Sequence, residues 1–430
     1  MSSPQTPYCG STEHLTGRRQ FMGSMLSGMG AAAGMSLLTH PLGASELVQR
    51  GKSVVVIYLG GGISQFESWD PKTHVDTGGP FKAIPTSVPG IHVSELLPHT
   101  SKLMHHMALI RSINTGNDDH GLATNLIRSG RMTRTATEYP ELGATVAKCL
   151  ERADFPLPGH IHTAPAGNAR RGNNSAYLGP RYASVTVSAE AGVVNSVLPD
   201  GMTVTVDTQR NTWRRFLNER FMRGRHAAEI DAFTQSYEQA LQLMTRREVF
   251  DSTREPAEVQ QRYGSDELGR QLLLARRLVE NEVPFIEVKN DGWDTHCNNF
   301  EYHIHNVAFF DRPFAVFLSD LADRGLLERT LVIVMTEFGR TPTINPYYGR
   351  DHYSKAWSIA LAGCGIHHGA VIGKTSDDGA EIVDRQVDHR HLFHTFLRAV
   401  GVDSSAEFDI AGRPFPIADP AAGPIEELLT

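Results

Sequence analysis

Residues 331 to 335 (LVIVM) constrain this chain more than any other stretch. A strand with one wet face alternates apolar and polar side chains. A run that is apolar at every position belongs to a strand covered on both faces, as in a parallel sheet between helical layers. At the end of the run the chemistry changes: Thr336 and Glu337, then Gly339 and Arg340, follow directly. They fall just past the carboxyl end of the predicted strand, where open α/β sheets keep their ligands. A second polar group, Gly349-Arg350-Asp351-His352, comes one loop later. Core packing calls for neither group, so the strand reads as scaffold and the two polar groups as half of a site.

Other segments repeat the pattern. Residues 53 to 59 (SVVVIYL) form a second buried-strand run and lead into Gly60-Gly61-Gly62 and then Asp70. Residues 107 to 110 are a shorter strand candidate, and residues 285 to 289 another, the latter delivering Asp294 and His296. Between them, residues 120 to 129 read as a helix with Asp118 and Asp119 in capping positions, His120 at its start and Gly130 as its stop. At that helix start the positive end of the dipole disfavours an imidazolium, and a neutral imidazole is suited to bind a metal or act as a base.

A chain of 430 residues with 40% hydrophobic and 21% charged residues can bury a sizeable core, as one large domain or two intimate ones. Its net charge of −7, with no Lys/Arg run interleaved with aromatics, excludes the footprint of a nucleic-acid binder. Cys9, Cys149, Cys297 and Cys364 lack paired spacing, which argues against a zinc ribbon and a CxxC redox motif. Residues 1 to 44 read as a targeting segment: Arg18-Arg19 resembles a twin-arginine export signal, an uncharged Gly/Ala/Met-rich stretch follows, and Leu42-Gly43-Ala44 offers a cleavage site. The stretch is short for a membrane span of about 20 strongly apolar residues. The expectation is a periplasmic or extracellular protein, exported folded, without a membrane span after signal removal. The mature domain would run from 45 to 430, with a loop at residues 168 to 182 tipped by Arg170-Arg171 and a helical insertion over about 207–281.

Asp294 and His296 end one strand, Glu337 the next, and Asp351-His352 lie a loop further on. Carboxylates mixed with imidazoles suit a divalent transition metal, zinc, manganese or iron, and are too nitrogen-rich for a calcium cage. On this reading Asp294, His296, Glu337 and His352 share one ion, Asp351 orients His352 or Arg350, and Asp70 approaches as a further oxygen ligand or a water-holding carboxylate. The competing reading is an ion-pair cluster in which Glu337 bonds Arg340 and Asp294 bonds Arg350.

The motifs at 59–72 (LGGGISQFESWDPK), 263–285 (YGSDELGRQLLLARRLVENEVPF), 292–300 (GWDTHCNNF), 336–342 (TEFGRTP) and 349–353 (GRDHY) together resemble the bacterial family of domain of unknown function 1501, related to the sulfatase and alkaline-phosphatase superfamily. The resemblance implies an α/β three-layer sandwich with a mostly parallel central sheet, helices on both faces and a metal-dependent hydrolase site at the strand ends. It puts His120 where sulfatases carry a Cys or Ser nucleophile, leaves Thr124 as the nearest hydroxyl on that helix, and aligns Ser129-Gly130-Arg131 with the helix-ending Thr-Gly-Arg. His120 would then be a base, a metal ligand or a nucleophile, with Arg131 and Arg340 holding an anionic ester. Two readings stay open: a metal-dependent hydrolase of a sulfate or phosphate ester, carried for instance by a polysaccharide, and a non-catalytic binding or assembly protein that lost the nucleophile.

Overall fold

Eight strands form the central sheet of the computed structural model, which describes residues 51 to 430 apart from 133–136, 153–154, 165–173, 191–196 and 224–227. The targeting segment and Arg170-Arg171 therefore lie outside the described residues. In chain order the strands are β1 (Ser53–Gly60), β2 (Met107–Ile113), β3 (His160–Thr163), β4 (Val185–Val187), β5 (Phe285–Asp291), β6 (Thr330–Met335), β7 (Trp357–Gly363) and β8 (Val371–Ile372). Across the sheet they run β8-β2-β7-β6-β1-β5-β3-β4. Only β7 is antiparallel to its neighbours β6 and β2; every other pairing is parallel. The α/β three-layer sandwich with a mostly parallel sheet, implied by the family resemblance, is the fold found, and its strands include the unalternating runs.

The alternation of β1 explains the layers. Val55, Ile57 and Leu59 point to one face and share a core with Leu272 and Leu278 of one helix and Phe310, Phe314 and Phe317 of another. Val54, Val56 and Tyr58 point to the other face, with Ile127, Val146, Leu392 and Phe396. Each such side chain contributes roughly 1.5–3 kcal/mol by leaving water. The covering helices are α1 (His120–Ser129), α2 (Leu142–Cys149) and α8 (His389–Ala399) on the second face. On the first are α6 (Glu267–Glu280) and α7 (Asn299–Asp323). Between β4 and α6 come α3 (Val204–Met222), α4 (Ala228–Thr245) and α5 (Ala257–Tyr263).

The helical stretch expected over about 207–281 therefore divides. α3 buries no side chain and exposes Trp213 and Leu217, as an excursion from the fold would. α6 buries Leu268, Leu272, Leu274 and Leu278 and leads straight into β5, so it is a layer of the sandwich. Among the described residues no helix is long and apolar enough to cross a membrane.

Candidate metal centre

Register brings the site together. Parallel pairing sets Gly60 of β1 beside Asp291 of β5, and Tyr58 beside Met335 of β6, so all three strands end at one edge. Asp294 lies three residues past β5 and Glu337 two past β6. A two-residue ribbon, Gly339–Arg340 against His352–Tyr353, pairs Arg340 with His352 and folds the second polar group back over the first. Gly61 permits the closure. Its φ is +117°, and a Cβ there would lie 2.5 Å from the Asp294 nitrogen.

α1 aims His120 into the same edge. The Asp119 side chain accepts from Leu122 N at 2.9 Å, capping the helix as its sequence predicts, and Gly130 ends it at φ +66°. His120 Nε2 then lies 3.4 Å from Asp294 Oδ2. His296 Nε2 and His352 Nε2 each lie 3.1 Å from Asp294 Oδ1, and 3.0 Å from one another. One ligand atom from each of His120, Asp294 and His352 falls within 4.8 Å of the others. Phe338 packs against both His120 and His352, with ring centroids 4.9 and 4.3 Å away.

The other ring nitrogens assign the tautomers. His120 Nδ1 is 2.8 Å from Glu337 Oε1, His296 Nδ1 is 3.0 Å from Asp351 Oδ1, and His352 Nδ1 is 2.8 Å from the Asp118 carbonyl oxygen. Each of these partners accepts, so each Nδ1 carries a proton, and in the neutral ring Nε2 presents a lone pair. Three lone pairs thus converge on one carboxylate, and two of them face one another at 3.0 Å. In water-like surroundings such an arrangement is repulsive, whereas a divalent cation turns it into a ligand set. The donor set suits a divalent cation, and His120, Asp294 and His352 are the residues that could hold one, with His296 beside them.

Several expected roles change. Glu337 is no ligand: it is buried, and its oxygens accept from His120 Nδ1, Gly61 N–H at 2.9 Å, and the hydroxyls of Tyr58 and Thr336 at 3.0 Å each. Its carboxylate backs His120 instead. Asp351 orients His296, where His352 or Arg350 was expected. Asp70 lies away from the centre, bonded to Lys72 Nζ at 3.1 Å and to the Thr375 hydroxyl, with Arg111 at 3.6 Å. Arg131 donates to the carbonyls of Pro416 and Ala418 at 2.7 Å each, and its guanidinium is tied to the C-terminal segment.

Arg340 is no anion clamp either. It is fully buried and donates to Gly62 O at 2.8 Å, Arg350 O at 3.1 Å and Trp293 O at 3.2 Å, and also to Gly61 O. Its remaining bond, 2.7 Å to Asp294 Oδ1, places a guanidinium against the central carboxylate. Part of the ion-pair alternative is thus realised, with different partners: Arg340 pairs with Asp294, and Arg350 pairs with Glu67 at 2.9 Å. Partial burial works to raise the Asp294 carboxyl, but the Arg340 guanidinium outweighs it and holds it down to about 2. It is ionised throughout the physiological range.

Sequence reasoning missed Tyr58, Glu67 and Asn345, and gave Asp118 a capping place where its carbonyl instead holds His352. Tyr58 is hidden as one letter of a buried strand, and burial first, then Glu337, keeps its phenol protonated as a donor. Beside His120 a cleft of about 500 Å³ is lined by Tyr58, Thr124, Arg128, His162, Lys289 and Asp291. In it the Thr124 hydroxyl is 3.1 Å from the Tyr58 hydroxyl.

A family profile described as protein of unknown function (DUF1501) matches residues 51–429. The chain belongs to that family. No curated protein matches it. Solved structures similar to the DUF1501 chain include the lipoteichoic acid synthase LtaP from Listeria monocytogenes, 7% identical over 84% of this chain and 78% of that one, with a TM-score of 0.39. Others are a protein in the alkaline phosphatase superfamily from Vibrio parahaemolyticus (11% identical, 83% and 67% covered, TM-score 0.36) and the periplasmic domain of EcEptC from Escherichia coli in complex with Zn (8%, 81% and 82%, TM-score 0.36).

Proposed function

We propose that this DUF1501 chain is an exported metal-dependent hydrolase of a sulfate or phosphate ester. The observation that carries the reading is the convergence of the His120, His296 and His352 Nε2 atoms on Asp294, each imidazole fixed from behind by an acceptor at Nδ1. A bound divalent transition metal supplies Lewis acidity toward an ester oxygen and a water acidified to near neutrality. The chain's own residues do the rest. Glu337 holds the His120 proton on Nδ1, Arg340 keeps Asp294 ionised and fixed, and Phe338 covers the inner side of the imidazoles. The cleft beside His120 offers room for the group that carries the ester.

One observation favours a second reading, a non-catalytic binding protein. The hydroxyls that line the adjoining cleft, Thr124 and Tyr58, bond one another, and no thiol or hydroxyl stands at the start of α1. The experiment is metal reconstitution followed by assays on aryl sulfates and aryl phosphates. Turnover that needs the metal and falls by orders of magnitude in His120→Ala supports the hydrolase. Stoichiometric metal without turnover supports the binding protein, and absence of metal uptake sinks the hydrolase and leaves the binding protein standing.

A further inference from the structure

The turn at residues 345 to 349 is fixed from every side. Asn345 Oδ1 accepts from Tyr347 N–H and Gly349 N–H at 3.0 Å each, while Asn345 Nδ2 donates to His296 O at 2.9 Å and Asp351 Oδ1 at 3.3 Å. The Tyr347 and Tyr348 carbonyls accept from Asn298 N–H at 3.0 Å and Asn299 N–H at 2.9 Å, at the start of α7. Tyr348 is held at φ +55°, a left-handed conformation that strains a residue with a Cβ. Gly349 lies so close to His296 that a Cβ would fall 1.8 Å from its carbonyl oxygen.

This rigid turn displays two side chains that the core does not use. Tyr347 and Tyr348 are each 70% exposed. Next to their anchor, Asn298, Glu301, Tyr302, Ile304, His305 and Phe309 line a shallow groove along the first turns of α7. Strained backbone spent on presenting exposed aromatics points to a ligand. The mixture selects its chemistry. A sugar ring offers a C–H face that stacks on an aromatic ring, and hydroxyls around its edge for Glu301, Asn298 and His305. An anionic lipid surface would call for Lys or Arg here, where the groove carries Glu301 and the chain a net charge of −7.

We infer that Tyr347, Tyr348 and the adjoining α7 groove are a carbohydrate-binding platform that leads a polysaccharide to the metal centre. Asn345 joins the platform to the centre, since one side chain holds both the tyrosine turn and the His296–Asp351 pair. Naming the substrate as a polysaccharide ester rests on the hydrolase reading; binding of the glycan does not.

The test is native gel electrophoresis of the full chain in gels containing dextran, xylan, polygalacturonate or dextran sulfate, with metal content measured on the same samples. At least one polymer should retard the protein. The Tyr347→Ala/Tyr348→Ala pair should weaken that retardation roughly tenfold, the scale of two lost stacking contacts. The corresponding Phe pair, which keeps both rings, should stay within about twofold and controls for folding. Absence of retardation by all four polymers, or full retardation of the alanine pair, overturns the inference. So does pelleting with phosphatidylglycerol vesicles that depends on the tyrosines, which would make the platform a membrane surface. Metal-loaded protein that no polymer retards sinks the platform and leaves the centre; retarded protein that takes up no metal does the reverse.

Discussion

Exchanging Glu337 for Gln takes one negative charge from behind His120 without removing the acceptor oxygen that His120 and Gly61 share. The hydroxyls of Tyr58 and Thr336 can rotate to meet the new amide. Glu337→Gln should therefore fold, yet bind a divalent metal about 10- to 100-fold more weakly, the usual cost of losing a carboxylate behind a ligating imidazole. Competition against a chromophoric chelator measures this, and unchanged affinity would reduce Glu337 to a structural acceptor. The sequence showed this residue's place and hid its role. A carboxylate just past a buried strand belongs to the site edge, but sequence does not say whether its oxygens face outward to a ligand or inward to Gly61 and Tyr58. Asp70 failed for the opposite reason. Its strand was right, and the turn after the glycines carried it toward Lys72, Arg111 and Thr375.

Elements proved more legible than side-chain roles, because periodicity reports burial and burial is what a layered sheet enforces. The runs at β1, β5 and β6 and the capped α1 could be read directly; the division between α3 and α6 could not, since both are rich in Arg. Where two elements meet, the structure adds a pH dependence. β3 carries His160, buried against Phe285 at a ring distance of 5.0 Å, and α2 fits over it through Gly143, whose Cβ would fall 2.3 Å from His160 Nε2. Burial pushes the His160 imidazole down to about 4, although its Nδ1 bonds the Tyr182 carbonyl at 3.1 Å. The folded state thus holds it neutral while the unfolded chain protonates it below about 6.5. Its contribution is full above that pH and is lost as pH falls toward about 4, by up to about 3 kcal/mol. Glu141, which burial pushes up to about 7, slopes the other way over an overlapping range. The measurable quantity is consequently the difference in urea stability between wild type and His160→Gln, which should shrink from pH 7 to pH 4. A constant difference would mean that His160 does not titrate on unfolding.

For the molecule as a whole, a site that draws ligands from α1, the loop after β5 and the ribbon after β6 links metal binding to folding. Metal at 100 times its dissociation constant should stabilise the fold by about 2.7 kcal/mol and raise the melting temperature, with chelator reversing the rise. A melt that ignores zinc, manganese and iron would count against the centre. Export offers a separate check: replacing Arg18 and Arg19 by Lys should leave the protein in the cytoplasm, and normal export of that variant would defeat the twin-arginine reading.

The sheet order also sets a clock. β1 is made first, yet its neighbours are β5 and β6, and more than two hundred residues separate Gly60 from Phe285. At about 5–20 residues per second of synthesis, this apolar strand waits roughly 10 to 50 seconds for its first partner. During that wait SVVVIYLG is an unpaired, aggregation-prone edge on the ribosome. Whatever shields it there decides the yield of folded protein before the candidate site exists.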